Sequence, residues 1–170
     1  MAIGLGSNLG GLGGREGFLR KAKKELAEQI GALRSSPIYE TSPVGGPPGQ
    51  PDFLNAVVVG RTTLSARALF TFLRKSEFAA GRRRARGARN APRPLDLDLL
   101  LFGNQQICSR DLTVPHPRMT SRLFVLVPLA DVAPRRVVPG TGKTVARLLA
   151  EARRVSTERI RSGSFRRERG

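Results

Sequence analysis

The sequence has few of the residues that mark several common classes of protein. It contains one cysteine, Cys108, one histidine, His116, and no tryptophan among 170 residues. A single cysteine excludes an intramolecular disulfide bond and a zinc site built from cysteines. No apolar run approaches the roughly 20 residues of a membrane-spanning helix, and no basic segment followed by an apolar one opens the chain. We therefore expect a cytoplasmic protein with no membrane partner.

Acidic residues are also scarce. Lysine and arginine together number 30 against 13 aspartate and glutamate, which gives a net charge of +17. A basic excess of this size favours a phosphate-bearing partner, either a nucleotide or a nucleic acid. Proteins that bind nucleic acid usually place aromatic residues among their basic ones so that bases can stack, but the arginine-rich residues 82–93 include none. We therefore expect no specific nucleic-acid partner, and a non-catalytic nucleic-acid-binding module stays as the alternative.

Two acidic side chains stand out in residues 89–101, which read RNAPRPLDLDLLL. Because side chains alternate in an extended strand, Asp96 and Asp98 share one face. The opposite, apolar face is formed by Leu95, Leu97, Leu99 and Leu101. Carboxylates at this spacing lie about 6 to 7 Å apart, close enough to share two divalent ions, and hard oxygen ligands favour magnesium or manganese. The other interpretation is an edge strand whose polar face happens to be acidic.

Six arginines close to the acidic pair favour the metal interpretation. They are Arg82, Arg83, Arg84, Arg86, Arg89 and Arg93, and no acidic residue lies between them. Phosphoryl transfer needs metal ions on the phosphate oxygens and arginine donors that neutralise the charge of the transferring group. We therefore predict a nucleotide or polyphosphate site here.

Single polar residues leave alternatives open. Asn55 interrupts the apolar residues 52–62, so its amide either bonds to neighbouring backbone or reads the edge of a heterocyclic ligand. His116 lies between two prolines near further arginines, and either a structural role or a phosphate contact suits it. Two glycine-rich segments are rejected as nucleotide-binding loops, because Leu9 and Val137 stand where those motifs require glycine.

The hydrophobic pattern predicts one domain of the α+β class over residues 1–153. Strands are predicted at 2–7, 33–41, 52–62, 95–101 and 106–113, and helices at 15–31, 65–80, 118–132 and 144–153. This order favours an open, largely antiparallel sheet with helices packed on its faces. The segment 42–51, rich in proline and glycine, is either a lid or a plain connection. Residues 154–170 are basic with little apolar content, so we expect a disordered tail whose removal after Arg153 leaves catalysis intact.

Several segments together resemble a known family. They are GLGSNLG (4–10), PDFLNAV (51–57), RNAPRPLDLDLLLFG (89–103), LTVPHPRM (112–119) and SRLFVLVPLADVAP (121–134). The combination is similar to 6-hydroxymethyl-7,8-dihydropterin pyrophosphokinase of folate biosynthesis. The resemblance implies a ferredoxin-like α-β-α sandwich and transfer of pyrophosphate from ATP to the pterin hydroxymethyl group, with release of AMP. We expect the protein to act on pterin and ATP as a monomer.

The resemblance also implies roles for individual residues. Asp96 and Asp98 hold two magnesium ions that bridge the ATP phosphates, and Arg82 and Arg93 stabilise the transferring group. Further ATP contacts come from Glu77, Arg84, Ile107, Thr113, His116 and Arg122. The pterin binds to Thr41, Val44, Phe53, Asn55 and Phe124, with two aromatic rings around it and the Asn55 amide at its edge. The arginine segment is one residue longer than in the family, so the alignment of residues 83–89 stays open.

Overall fold

The computed structural model describes residues 1–10, 14–82 and 91–162. The first half contains β1 (Ala2–Ser7), α1 (Gly14–Gln29), β2 (Gly31–Ser35), β3 (Tyr39–Thr41), β4 (Phe53–Arg61) and α2 (Ala66–Ala79). The second half contains β5 (Asp96–Leu101), β6 (Ile107–Cys108), β7 (Thr113–Val114), α3 (Leu123–Val132), β8 (Val137–Val138), β9 (Lys143–Thr144), α4 (Val145–Val155) and β10 (Ile160–Ser162). A single 3-10 turn, Met119–Ser121, precedes α3.

One six-stranded sheet organises the fold. Its strands run in the order β10-β3-β4-β1-β5, with β2 also paired to β4, and every pairing is antiparallel. The predicted antiparallel sheet with helices on both faces, of the ferredoxin-like class, is confirmed. None of the helices in the described ranges is long and apolar enough to cross a lipid bilayer.

The two faces of the sheet carry separate apolar cores. On one face α1 and α2 bury their apolar stripes, and this core contains Ile3, Leu19, Leu26, Leu69, Leu73, Leu95, Leu97 and Leu99. On the other face α3 and α4 pack, and that core contains Ala2, Val57, Leu100, Leu101, Leu126, Leu129, Val145 and Leu148. Helix α2 begins where predicted, because the Ser65 Oγ accepts a hydrogen bond from the Ala68 N–H at 3.2 Å.

Strand β5 departs from the predicted alternation at its end. In its pairing with β1, Ile3 lies opposite Leu99 and Ala2 lies opposite Leu101, so an extra residue is inserted at Leu100. Such a bulge moves the following side chain to the other face. Leu101 therefore packs with α3 and α4 and does not share a face with Leu97 and Leu99, as the sequence predicted.

Three other predicted elements differ in their bounds. The predicted strand 33–41 is two strands, β2 and β3, separated at Pro37, whose ring removes a backbone donor. The predicted strand 106–113 is the short hairpin of β6 and β7. The predicted helix 118–132 begins as a 3-10 turn and becomes α-helical only from Leu123.

The segment after residue 153 is ordered further than predicted. Helix α4 continues to Val155, and β10 adds to the sheet by pairing with β3, with Ile160 opposite Thr41. The disordered tail predicted from residue 154 is therefore wrong for residues 154–162. Residues 163–170 lie outside the described residues.

Candidate active site

The two aspartates of β5 lie on the sheet face that α3 covers, each opposite a glycine of β1. Gly4 is paired with Asp98, and Gly6 is paired with both Asp96 and Asn55 of β4. A Cβ atom on Gly6 would lie 3.2 Å from Asn55 Oδ1 and 3.6 Å from Asp96 Cβ. Glycine at this position therefore leaves open the space between the carboxylate pair and the asparagine.

Two predicted catalytic arginines converge on one of the carboxylates. Arg82 Nη1 lies 2.5 Å from Asp96 Oδ1, and Arg93 Nη2 lies 2.7 Å from Asp96 Oδ2. Burial alone would raise the pKa of Asp96, but the charges of Arg93 and Arg82 outweigh it and hold that pKa below its usual value. Asp96 is thus held in its ionised form, with the two guanidinium groups beside it.

The second carboxylate has a different environment. Burial, followed by the negative charge of Asp96, raises the pKa of Asp98. No described arginine or lysine forms an ion pair with Asp98, and its neighbour is His116, whose Nε2 lies 3.9 Å from Asp98 Oδ2. The His116 Nδ1 accepts a hydrogen bond from the Arg118 N–H at 3.2 Å, so the imidazole carries its hydrogen on Nε2. Burial lowers the pKa of His116 and keeps the ring neutral.

The chemistry of this donor set fits magnesium. Within the described part of the chain, no three or more His, Cys, Asp or Glu side chains are grouped so as to hold a metal ion. Magnesium is usually bound through one or two carboxylates, with water and substrate phosphates completing its octahedron. At Asp98, burial and the like charge of Asp96 outweigh the charges of Arg122 and Arg82, which is a situation that a bound divalent ion relieves.

A cavity of about 460 Å³ opens next to Asp96. Its lining includes all five residues predicted to bind the pterin: Thr41, Val44, Phe53, Asn55 and Phe124. The rings of Phe53 and Phe124 each lie beside a guanidinium, with Arg93 5.2 Å from the first ring centroid and Arg122 5.2 Å from the second. The cavity therefore offers two aromatic rings to a flat heterocycle, next to cations that suit an anion.

Asn55 is buried in this cavity with its amide oriented by a side chain. Its Nδ2 donates a hydrogen bond of 2.7 Å to Thr41 Oγ1, rather than to neighbouring backbone. No described residue donates to its Oδ1, which faces Gly6. Of the two alternatives for this residue, a bond from the amide to neighbouring backbone is not observed, and a role of the amide oxygen toward a ligand stays a prediction.

The Gly6→Ala variant tests the space between Asn55 and Asp96. The added methyl group would sit 3.2 Å from Asn55 Oδ1, so the amide must shift by a few tenths of an ångström. We expect the KM for the pterin to rise about tenfold while the KM for ATP changes less, since small misplacements in a site are costly. Steady-state kinetics measure both values. A variant with the wild-type pterin KM would show that pterin binding does not depend on the space between Asn55 and Asp96.

A second, more open region lies on the other side of Asp98. This groove of about 1450 Å³ is lined by Thr113 and His116, both predicted to contact ATP, and by Arg67, Phe70, Arg74 and Arg110. Arg122, also predicted to contact ATP, lines the cavity beside Asp96 instead. Ile107 packs on the core beneath α2, and Arg84 lies outside the described residues.

Glu77, the remaining predicted ATP contact, is almost completely buried, with 2% of its surface exposed. Its Oε1 accepts hydrogen bonds from Arg82 and, at 2.8 Å, from the Leu97 N–H, while Oε2 accepts one from Arg74 at 3.0 Å. In this conformation Glu77 reaches ligands only through Arg74 and Arg82. Burial, opposed by the charge of Arg82, raises the pKa of Glu77 to about 7.

This raised pKa predicts a pH effect on stability. Because the folded protein holds the Glu77 proton more tightly than the unfolded chain, the contribution of Glu77 to stability falls as pH rises from about 4.5 to about 7. Glutamine cannot ionise, so the stability of Glu77→Gln has no pH-dependent contribution from residue 77. We expect the Tm of the wild type, measured relative to that of Glu77→Gln, to be higher at pH 5 than at pH 8. A relative Tm that increases with pH would mean that the folded pKa is lowered.

Sequence reasoning missed Asn8, which joins three segments around the site. Asn8 is 1% exposed, and its Oδ1 accepts a hydrogen bond from the Arg93 N–H at 2.8 Å. Its Nδ2 donates to Gln50 Oε1 and to the Pro51 carbonyl, both at 3.2 Å. Asn8 thereby fixes the backbone of Arg93 and the 42–51 segment relative to the end of β1. The only signal in the sequence is a polar residue directly after a buried strand.

Comparison with known proteins agrees with this geometry. The family model described as 7,8-dihydro-6-hydroxymethylpterin-pyrophosphokinase (HPPK) matches residues 2–134. A 2-amino-4-hydroxy-6-hydroxymethyldihydropteridine pyrophosphokinase of Synechocystis is 40% identical over 150 residues, which cover 88% of this chain and 74% of that protein. The protein of the same name from Bacillus subtilis is 43% identical over 132 residues, covering 76% of this chain and 75% of its own.

Longer proteins and solved structures also match. A folate synthesis bifunctional protein of Arabidopsis thaliana is 41% identical over 133 residues, which cover 78% of this chain and 26% of that protein. A wild-type Plasmodium falciparum HPPK-DHPS crystal structure aligns with a TM-score of 0.65 at 15% identity, over 88% of this chain and 43% of the other, and this likeness supports the fold. From the family model and the similarity to the two bacterial enzymes, we conclude that the chain belongs to the 7,8-dihydro-6-hydroxymethylpterin-pyrophosphokinase family.

Proposed function

We propose that this chain transfers pyrophosphate from ATP to the hydroxymethyl group of 6-hydroxymethyl-7,8-dihydropterin, a step of folate biosynthesis, and releases AMP. One observation carries the proposal beyond family membership. The aromatic cavity adjoins the carboxylate pair, because Asp96 and Arg93 line the cavity that also contains Phe53, Asn55 and Phe124. Asp98 lines a neighbouring pocket that shares Asp96, Asn55 and Phe124 with this cavity. A heterocycle in this cavity therefore has its substituent next to the residues that neutralise phosphate charge.

The cavity supplies recognition of the pterin. Phe53 and Phe124 stack on its two faces, which are flat and apolar. Asn55 Oδ1 accepts a hydrogen bond from an N–H at the edge of the ring, while Thr41 holds the amide in the required orientation. A ring without this N–H would leave the buried Asn55 oxygen without a hydrogen-bond partner, which is costly. The site therefore discriminates against such rings.

The carboxylates and arginines supply the electrostatics of transfer. Asp96 and Asp98 would hold magnesium, two ions in our proposal, and magnesium bound there would supply positive charge to the phosphate oxygens. Arg82 and Arg93 are already beside Asp96 before ligands bind, so their donors need little reorganisation to reach the transferring group. Thr113 and His116 bind the nucleotide from the open groove, where the Nε2–H of His116 serves as a donor.

The reaction itself requires alignment more than a strong base. The pterin hydroxyl oxygen forms a bond to the β-phosphorus of ATP, the bond from that phosphorus to the α,β-bridging oxygen breaks, and AMP leaves. The hydroxyl proton passes to solvent or to a phosphate oxygen. No His or Glu among the described residues lines the pterin cavity, so the rate enhancement rests on positioning and charge neutralisation.

The remaining proposals concern the state of the protein. We propose a monomer as the active species. We propose the cytoplasm as its location because ATP is supplied there. The nucleic-acid-binding alternative depended on net charge alone, and membership of this family does not support it.

Isothermal titration calorimetry tests the proposed site. The protein is titrated with a non-hydrolysable ATP analogue, with and without magnesium, and then with 6-hydroxymethyl-7,8-dihydropterin. We expect nucleotide binding that depends on magnesium, followed by pterin binding. Absence of binding under both conditions would contradict a site built on Asp96 and Asp98.

A further inference from the structure

The segment from Ser156 to Ser162 lies beyond the part of the chain that the family model matches, which ends at residue 134. It leaves α4 through a hydrogen bond of 3.0 Å from the Ser156 N–H to the Ala152 carbonyl. A second bond, of 3.2 Å from the Glu158 N–H to Ser156 Oγ, orders the turn that follows. This segment then contacts both walls of the pterin cavity.

The first contact is a helix cap supplied from a distant part of the chain. The residue at the N-terminal cap of α3 is Arg122, and its side chain makes no capping hydrogen bond. Instead, Glu158 Oε2 accepts a hydrogen bond of 3.1 Å from the Phe124 N–H. A carboxylate at this place satisfies a backbone donor that the helix leaves unpaired, and its negative charge interacts favourably with the helix dipole.

This cap lies directly behind two residues of the cavity. Phe124 is the second residue of α3, and Arg122 immediately precedes the helix. Both line the cavity, and their side chains are stacked with the guanidinium carbon 5.2 Å from the ring centroid. Fraying of the first turn of α3 would therefore displace the aromatic wall and its cation together.

The second contact supports the opposite wall. Strand β10 pairs with β3 so that Ile160 lies opposite Thr41. Thr41 in turn accepts the hydrogen bond that orients the Asn55 amide. Ile160 also packs against the apolar core beneath α3 and α4, as Phe124 does. The short strand β3 is thus held between β4 and β10, and its position determines where the amide of Asn55 points.

We propose that residues 156–162, through the Glu158 cap and the β10 pairing, are a positioning element for the pterin subsite. The inference rests on the proposed function, since it assigns the cavity to the pterin. Glu158 does not touch the cavity but acts through Phe124. The element holds the cavity in its pterin-binding conformation. Its loss lowers the fraction of protein molecules in that conformation, and this raises the apparent Kd for the pterin. Truncation after Arg153 is therefore expected to impair the enzyme, contrary to the expectation from the sequence.

Point variants separate this role from general stability. In Glu158→Ala the cap is lost, and we expect the pterin KM and Kd to rise about three- to tenfold, with kcat and the ATP KM within about twofold of wild type. Glu158→Gln keeps an acceptor oxygen and should recover most of the pterin affinity. The matched control is Glu28→Gln, an exposed residue on α1, which should behave as wild type in every measurement.

A pair of truncations tests the whole segment. A chain ending at Ser162 keeps the cap and β10 and should bind the pterin like the full chain. A chain ending at Ser156 keeps all of α4 but loses both contacts, and its pterin affinity should fall at least about tenfold. Calorimetry with the pterin and with the ATP analogue measures both affinities on each protein.

The outcomes distinguish failure of the positioning role of residues 156–162 from failure of the proposed function. Wild-type pterin affinity in both Glu158→Ala and the chain ending at Ser156 would overturn the positioning role while leaving the proposed function intact. An equal loss of pterin and ATP affinity, together with a lower Tm, would also overturn it in favour of a purely structural role. A full-length protein that neither binds the pterin nor releases AMP would overturn the proposed function, and this inference with it.

Discussion

Replacing Asp98 with asparagine is expected to lower kcat at least about 10³-fold while leaving the Tm of the ligand-free protein unchanged or higher. In the folded protein Asp98 lies two residues from Asp96 on β5 and forms no ion pair with a described arginine, and burial together with the charge of Asp96 raises its pKa. Removing its charge relieves repulsion between the two carboxylates, but it also removes half of the proposed metal-binding pair. Stability and activity should therefore move independently, as is common where a site is built from like charges.

Kinetics and differential scanning calorimetry on the same preparation check both parts of this result. The matched control is Asp131→Asn on α3, where the asparagine oxygen can still accept the hydrogen bond of 2.8 Å from the Tyr39 hydroxyl. That variant should retain wild-type kcat. If Asp98→Asn lost Tm without losing activity, Asp98 would be a structural residue and the metal site would have to be sought elsewhere.

Replacing Glu77 with alanine should destabilise the protein by about 3 to 5 kcal/mol, which corresponds to a fall in Tm of about 10 °C for a chain of this size. The buried Glu77 carboxyl accepts hydrogen bonds from the Leu97 N–H, Arg82 and Arg74. Alanine leaves the buried amide without a partner and removes the group that holds Arg82 beside Asp96. Activity should fall as well, because the orientation of Arg82 depends on this contact.

The control for Glu77→Ala is Glu25→Ala on α1. Among the described residues, Glu25 forms only an i,i+4 ion pair of 3.9 Å with the exposed Lys21, so its removal should change stability by less than about 0.5 kcal/mol. Urea denaturation measures both variants. If Glu77 acted only as a direct contact to ATP, Glu77→Ala would raise the ATP KM at an unchanged midpoint, contrary to this prediction.

The part of the site that the sequence predicts is local in the chain. Asp96 and Asp98 lie two residues apart on one strand, so the period of a strand is enough to place them on one face. Their neighbours Phe53 and Asn55 follow the same rule on β4, and the resemblance to a family adds Phe124 to this pair. The cavity unites these residues because β4, β1 and β5 are adjacent antiparallel strands.

The part that the sequence does not predict depends on contacts between distant segments. Glu77 looks like any polar residue at the end of a helix until β5 brings the Leu97 N–H against it. Asn8 and Glu158 bond to backbone atoms 85 and 34 residues away, and no periodicity predicts such partners. The bulge at Leu100 is likewise set by pairing with β1 and not by the run of leucines itself.

The measurement that tests the account most directly is phosphorus NMR of the full chain incubated with ATP, magnesium and 6-hydroxymethyl-7,8-dihydropterin. We predict that ATP is converted one for one into AMP and a diphosphate ester of the pterin, with no ADP, and that omission of magnesium stops the reaction. Unchanged ATP, or conversion into ADP and a monophosphate ester, would contradict pyrophosphate transfer at Asp96 and Asp98.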